Sequence, residues 1–278
     1  MYEIIDRLFH PNMEYYREVY KNSERWNSST SLEGKKIIVY GEQGNGDIIQ
    51  FARYLKCLKK CGCHITLHAP LSLERLLMPL VDAYLDKDEY ILPEHDFHIP
   101  SMSLPFALKI IHVEVPYLNV PKQGQIDSWE GLRIGIAWEG NPMHSNSASR
   151  NCPLKYFKFL GSYGKIYSLQ KTIHNEDLLL DTTDMDLYGS DFNDYADTAN
   201  FLAHMDFVVS VDTSVLHLAG AMGKLTYGLL SDPCDGRWDV AWYPSVTLIR
   251  QESPGDWNSV FQDLKWMLDE KYRASISK

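Results

Sequence analysis

KKIIVYGEQGNGDIIQFARYLKCL, residues Lys35–Leu58, decides the fold. Ile37, Ile38, Val39 and Tyr40 form an unbroken apolar run, the pattern of a strand buried on both faces. Three glycines follow within six residues, Gly41, Gly44 and Gly46. Asp47 then opens a segment with apolar residues at Ile48, Phe51, Ala52, Leu55 and Leu58, which is helical spacing. Strand, glycine-rich turn and acidic helix start together make a ligand site in α/β proteins. The glycines admit a ligand to the backbone, and the helix N-terminus offers it unpaired N–H groups. GEQGNGD does not fit G-x-G-x-x-G: the glycine spacing differs and an acid stands where the helix begins. The turn, with Gly44, Asn45 and Gly46, is built to display the Asp47 carboxylate. As a plain alternative, Asp47 is a helix N-cap, and the two roles are compatible.

Outward from this stretch, strands and helices alternate. The spacing predicts strand 35–40, helix 47–60, strand 64–69 and helix 72–80, then a less regular, proline-containing region over 82–121. PKQGQIDSWEG reads as a linker. A second series follows, with strands at 133–138, 165–170, 207–212, 225–230 and 245–250 and helices at 197–206, 213–222 and 256–270. Residues 12–26 read as a polar helix with an aromatic stripe at Tyr15, Val19 and Trp26. The expected class is α/β, two Rossmann-like domains facing each other across a cleft. The expected boundaries are a helical extension over 1–30, a first domain over 31–125 and a second over 126–278.

Length and charge exclude several function classes. A chain of 278 residues with 45% hydrophobic content has room for two cores. A formal charge of −10 argues against wholesale binding to nucleic acid, although a local basic spot for a phosphate is compatible with it. MYEIIDRLFH lacks the apolar region of a signal peptide, and no apolar run is long enough for a membrane span. Five cysteines fit reduced thiols, and hence a cytoplasmic location, better than a disulfide framework.

Two further stretches carry candidate chemistry. In FVVSVDTSVLHLAGAMG, residues 207–223, a strand ends at Asp212 and Thr213 and a helix starts at once. Its first turn favours an anion, with Thr213, Ser214 and His217 as added hydrogen-bonding groups. The plain alternative is a capped core helix with one satisfied histidine. AWEGNPMHSNSASRNCPL, residues 137–154, leaves the C-terminal end of a strand, where open α/β sheets bind ligands, and carries one cation, Arg150. Gln170 and Lys171 finish the next predicted strand and face the same rim.

The motifs GEQGNGDIIQFARYL, AWEGNPMH, SLQK, DYADTANFLAHMDFVVSVDTSVLHLAGAMGK, GRW and WYPSVTLIRQESPGDW, in this order from about Trp26 to Trp257, resemble the glycosyltransferase domain often fused behind tetratricopeptide repeats. That domain is itself similar to glycosyltransferase family 9, the heptosyltransferase-like enzymes. The resemblance implies a GT-B architecture, an acceptor on the first domain, a nucleotide-diphosphate sugar on the second, and no metal or other cofactor. It implies Asp47 as catalytic base, Arg150 as a phosphate-binding cation, and Asp212, Thr213, Ser214 and His217 as the nucleotide-sugar motif. Residues 12–26 then correspond to the end of a terminal repeat helix. Asn45 stands where the family carries leucine, and SNSAS before Arg150 lacks the family's acidic residue.

The chemistry is coherent with those residues. Glycosyl transfer needs a carboxylate to take the acceptor's hydroxyl proton and positive potential on the leaving diphosphate. Other signals carry less. Cys57, Cys61, Cys63 and His64 have the wrong spacing for a zinc knuckle and read as thiols at a helix–strand junction. Asp86-Lys87-Asp88 and Asp184-Met185-Asp186 imitate DxD, yet neither follows a clear apolar strand. Trp238, Trp242 and Tyr243 suit either a sugar or base platform or core packing. The expected activity is inverting transfer of a sugar to a saccharide, lipid or protein acceptor. The rivals are a nucleotide-sugar epimerase or hydrolase on the same fold, and a non-catalytic nucleotide-sugar-binding module. A dehydrogenase fits poorly, since the glycine turn is wrong for one.

Overall fold

The structure, a computed structural model of the chain, describes residues 12–142, 147–172 and 185–276. The chain divides into two units. The first takes the described residues up to Glu114 with Asp194–Ala196, and the second takes the others from Val115 onward. The division precedes PKQGQIDSWEG, the stretch that reads as a linker.

In the first unit, helix α1 (Asn12–Val19) precedes four parallel strands: β1 (Lys36–Tyr40), β2 (His64–Ala69), β3 (Ala83–Asp86) and β4 (Phe97–Pro100). Their order is β3-β2-β1-β4, so β1 is flanked on both sides, and Ile38 lies opposite Thr66 and His98. This explains the unbroken apolar run: Ile37, Ile38, Val39 and Tyr40 are all buried. The helix expected over 47–60 is three consecutive pieces, α2 (Asn45–Phe51), a 3-10 turn (Ala52–Tyr54) and α3 (Leu55–Lys59). Its apolar stripe of Ile48, Phe51, Ala52, Leu55 and Leu58 is buried in full. Burying each such Ile, Leu or Phe side chain contributes about 1.5–3 kcal/mol.

Residues 82–121 hold two strands, β3 and β4, that periodicity did not reveal. β4 reads FHIP; its buried histidine and its proline carry turn signals, yet proline is tolerated there because β4 is an edge strand and Pro100 ends it. Asp86 is the last residue of β3, so the Asp86-Lys87-Asp88 triplet does follow a strand. In α1 the buried side chain is Tyr16, with Tyr20 just beyond the helix end, while Tyr15 and Val19 pack only partly. The stripe expected at Tyr15, Val19 and Trp26 is thus off by one residue over its helical part.

The second unit has six parallel strands: β5 (Arg133–Ala137), β6 (Lys165–Ser168), β7 (Met185–Leu187), β8 (Phe207–Val211), β9 (Thr226–Leu230) and β10 (Val246–Arg250). The order β10-β9-β8-β5-β6-β7 is the doubly wound Rossmann order, with the reversal between β5 and β8. Three helices matter here: α4 (Tyr195–Ala203), whose first two residues fall to the first unit, α5 (Ser214–Ala221) and α6 (Trp257–Ile276). α6 supplies Val260, Phe261, Leu264 and Leu268 to a core shared with Phe207, Val209 and Val211 of β8 and Ile134 and Ile136 of β5. β7, a three-residue edge strand, was not expected; Met185 and Asp186 lie in it, and Asp184 falls outside the described residues.

The N-terminal ends of these strands are tied by ions. Asp127 accepts from Arg133 Nη2 at 3.1 Å, Lys165 Nζ at 3.0 Å, Tyr167 OH at 2.5 Å and the Trp129 N–H at 3.0 Å. Lys165 also reaches Asp186 at 2.7 Å, which joins β5, β6 and β7. Burial opposes ionisation of Asp127, but Tyr167, Lys165, the Trp129 N–H and Arg133 outweigh it and hold the carboxyl far below its ordinary range. A depressed carboxyl pKa stabilises the fold above the unfolded value and loses that effect as pH falls through the folded one. Asp127→Asn is therefore expected to cost about 1.5–3 kcal/mol at pH 7. The gap from wild type should narrow below about pH 4, near the unperturbed carboxyl value. Urea unfolding at the two pH values checks this; an equal gap at both would refute the ionic account.

Candidate functional site

In the second unit the candidate residues gather where the sheet order reverses, at the C-terminal ends of β5 and β8. β8 ends at Val211, buried Asp212 follows, and Thr213 caps α5, its Oγ1 accepting from the Val215 N–H at 3.2 Å. The same oxygen lies 3.2 Å from Ser210 Oγ. Thr213 is thus the cap, and Ser214 is the first helical residue. An eight-residue helix leaves its first N–H groups facing this rim.

Arg150 comes from the loop after β5, at the end of the one-turn helix Ser147–Arg150. Residues 143–146, with part of AWEGNPMH and of SNSAS, lie outside the described residues. Gly140 lies near both groups: a Cβ there would stand 3.2 Å from Arg150 Nη2, a tight contact, and 3.6 Å from Thr213 Cγ2, an ordinary one. The Gly140 N–H donates to Asn151 Oδ1 at 3.1 Å, which holds this loop against the next residue of the chain. Arg150 Nε is buried and has no hydrogen-bond partner among the described residues. A buried donor without a partner costs about 1–3 kcal/mol, so the geometry favours an incoming acceptor.

His217 sits one turn into α5 and is buried. Its ring stacks on Trp238 at 4.9 Å and 17°, and Nδ1 lies 2.9 Å from Tyr243 OH. Gly220 permits this: a Cβ there would lie 2.5 Å from the Tyr243 ring. Two of the three aromatics from GRWDVAWYP therefore belong to the site, while Trp242 donates from Nε1 to the Arg237 carbonyl at 2.7 Å.

Burial raises the pKa of Asp212, against a hydrogen bond from Trp238 and the charges of Arg150 and Arg237, with Asp235 adding to the rise. Asp212 thus ties the cap to the Trp238 platform. Arg237 and Asp235 form a pair, Nε to Oδ2 at 2.9 Å, and Asp235 also takes the Arg237 N–H at 2.8 Å. Burial alone would raise the Asp235 carboxyl; Arg237 brings it below its ordinary value. Sequence reading did not single out Arg237 or Asp235 because their short-range pairing gains meaning only from proximity to Asp212. Gln170 is buried beyond the end of β6, and its Oε1 accepts from Trp138 and Glu139 N–H groups at 3.3 Å each. It braces the β5 exit. Lys171 is exposed, with Nζ 3.5 Å from the Asn193 carbonyl.

In the first unit the reversal falls between β1 and β4, and the glycine turn leaves β1 there. α2 begins at Asn45, with Gly44 as cap, two residues before the expected start. Asp47 is the third helical residue, and its Oδ2 accepts from the Gly44 N–H at 3.0 Å. It reaches back to close the turn, whereas the sequence suggested an N-cap. Gly46 is the second helical residue, and Asn45 Nδ2 lies 3.4 Å from Ser72 Oγ. Buried Glu42, which sequence reading passed over, accepts from the Met102 N–H at 3.4 Å and ties the turn to the exit of β4. Among the described residues, no group of three His, Cys, Asp or Glu side chains is arranged to hold a metal, and no helix is long and apolar enough to cross a membrane. Cys57, Cys61 and Cys63 are free thiols.

No protein-family model matches the sequence, and no curated protein matches it. Solved structures do match in three dimensions. The family 9 glycosyl transferase from Veillonella parvula DSM 2008 aligns with TM-score 0.63 and 11% identity over 88% of this chain and 99% of that one. The E. coli ADP-heptose LPS heptosyltransferase II gives 0.55 and 14% over 85% and 99%. E. coli heptosyltransferase WaaC with ADP-2-deoxy-2-fluoro heptose gives 0.52 and 13% over 85% and 99%. At these identities the likeness is one of fold: two Rossmann-like α/β units, as in the GT-B-like structures of family 9 glycosyltransferases.

Proposed function

We propose that the chain is a glycosyltransferase that takes a sugar from a nucleotide-diphosphate donor without a metal and inverts the anomeric centre. The observation that carries this reading is Arg150: its Nε is buried with no hydrogen-bond partner among the described residues, and its guanidinium and Thr213, the cap of α5, both flank Gly140. A diphosphate would accept from Arg150, from the first N–H groups of α5 and from the Thr213 and Ser214 hydroxyls. As the glycosidic bond breaks, negative charge grows on that leaving group, and these donors stabilise it in place of a cation such as Mg²⁺. Trp238, held by Asp212 and His217, offers a flat face to base or sugar. Asp47, on the first unit, takes the proton of the attacking acceptor hydroxyl. The first unit then serves the acceptor, which is a saccharide, lipid or protein, and the second serves the donor.

The fold likeness supports this reading, and so does the heptose nucleotide analogue bound to one of the similar structures. Five free cysteines fit a cytoplasmic setting. The test is titration calorimetry with a panel of nucleoside diphosphates in EDTA, beside a thermal-shift series. The matching nucleotide should bind without divalent ions and, at about 100 times its Kd, stabilise the fold by roughly 2.7 kcal/mol. Strict dependence on Mg²⁺ or Mn²⁺ would overturn the metal-free mechanism, and no binding by any nucleotide would overturn the donor site itself.

A further inference from the structure

We infer that Tyr16, on the helix ahead of the first sheet, is a positioning residue for the turn that presents Asp47; this rests on the reading of Asp47 as the base. The Tyr16 hydroxyl donates to the Gly41 carbonyl at 2.6 Å, across 25 residues of sequence, and both residues are buried. Gly41 is the first residue of the turn, and its own N–H goes to the His68 carbonyl at 3.0 Å. One residue on, Glu42 is tied to the Met102 N–H. The base of the turn is therefore held from three directions, and only one of the three ties comes from outside the Rossmann unit proper. Beyond it, Gly44 N–H to Asp47 and Ile48 N–H to the Gly44 carbonyl, at 3.0 and 3.2 Å, set where the carboxylate points.

Tyr16 is itself fixed by packing. Its ring stacks on Tyr40 at 4.6 Å and 26°, Tyr40 stacks on Tyr20 at 4.8 Å, and Tyr20 stacks on His98 at 4.6 Å. The stack rests on β1 and β4, the two strands whose exits frame the turn. Burial pushes the Tyr16 phenol well above its ordinary pKa, so it stays a donor across the working pH range. Tyr20 supplies the internal control: it lies in the same stack, yet its hydroxyl meets His68 Nδ1 at 2.7 Å and not the turn.

The experiment compares Tyr16→Phe with Tyr20→Phe, both of which keep the ring. Amide exchange by NMR at Gly44 and Ile48, the melting temperature, and the steady-state kcat and donor KM are measured on each. Tyr16→Phe should speed exchange at Gly44 and Ile48 and lower kcat, each by about three- to tenfold for one lost hydrogen bond, with donor KM unchanged. Tyr20→Phe should leave exchange at those two amides, kcat and KM as in wild type. Unchanged exchange in Tyr16→Phe, or the same change in both variants, would overturn the inference. So would failure of Tyr16→Phe to fold, which would make the hydroxyl a requirement of the whole unit. If the wild-type chain transfers no sugar, the exchange measurement still decides the positioning claim, and only the transferase reading falls.

Discussion

Asp47→Asn is expected to lower the sugar-transfer rate by about 10²–10⁴-fold, the range for removing a general base, with a melting temperature close to that of wild type. The amide keeps the shape of the side chain, and its oxygen can still accept from the Gly44 N–H, the bond that closes the turn. What it cannot do is take a proton from the acceptor hydroxyl. Donor affinity should hold, because the groups proposed for the diphosphate lie on the second unit. Melting temperature, nucleotide affinity and transfer rate on this one variant separate the possible roles. Near-normal turnover would leave Asp47 as a turn-closing residue and send the search for the base elsewhere. A large loss of stability with loss of turnover would make its role structural.

Arg150→Ala is expected to weaken nucleotide binding by about 1.5–3 kcal/mol, the range for a hydrogen bond to a charged group. That is roughly 10- to 150-fold in Kd, at 1.4 kcal/mol per factor of ten. Lysine at this position should recover only part of the loss, since a point charge on a flexible stem does not reproduce the planar guanidinium. Because the leaving diphosphate gains charge in the transition state, kcat/KM should fall at least as far as affinity. Because the Arg150 charge also acts on buried Asp212, the melting temperature of each variant is measured beside its affinity, so that a loss of folding is told apart from a loss of binding. Calorimetry on wild type, Arg150→Ala and Arg150→Lys gives the answer directly. Equal affinities for all three would return Arg150 to an incidental place beside the cap.

The parts of the fold set by short-range pattern were legible from the sequence. The apolar stripe from Ile48 to Leu58 shows itself in local periodicity and is buried in full, and the strand expected over 207–212 is present as Phe207–Val211, one residue shorter. The placement of Thr213 and His217 was legible too, since a cap and a histidine one turn later share a helix end by geometry alone. The parts that depend on distant partners were not. β4 hides behind His98 and Pro100, residues that suit it only because it is an edge strand with Tyr20 stacked on it. The start of α2 was misplaced because glycine caps through its backbone, and the acid that signals a helix start acts here from inside the first turn. Gln170 has the composition of a ligand group, but its oxygen is occupied by backbone 31 and 32 residues away. Trp238 and Tyr243 could be ranked only once His217 stood between them.

The ion cluster around Asp127 and the residues about Gly140, with Arg150 and Thr213 among them, occupy opposite rims of one sheet, a full strand apart. Five residues of β5 span about 16 Å, well past the 7–10 Å within which substitutions usually interfere. Robustness and chemistry in this unit are therefore separately adjustable. A protein engineer can add stabilising changes at the Asp127 rim to offset disruptive ones at the Arg150 rim, with the two sets adding nearly independently.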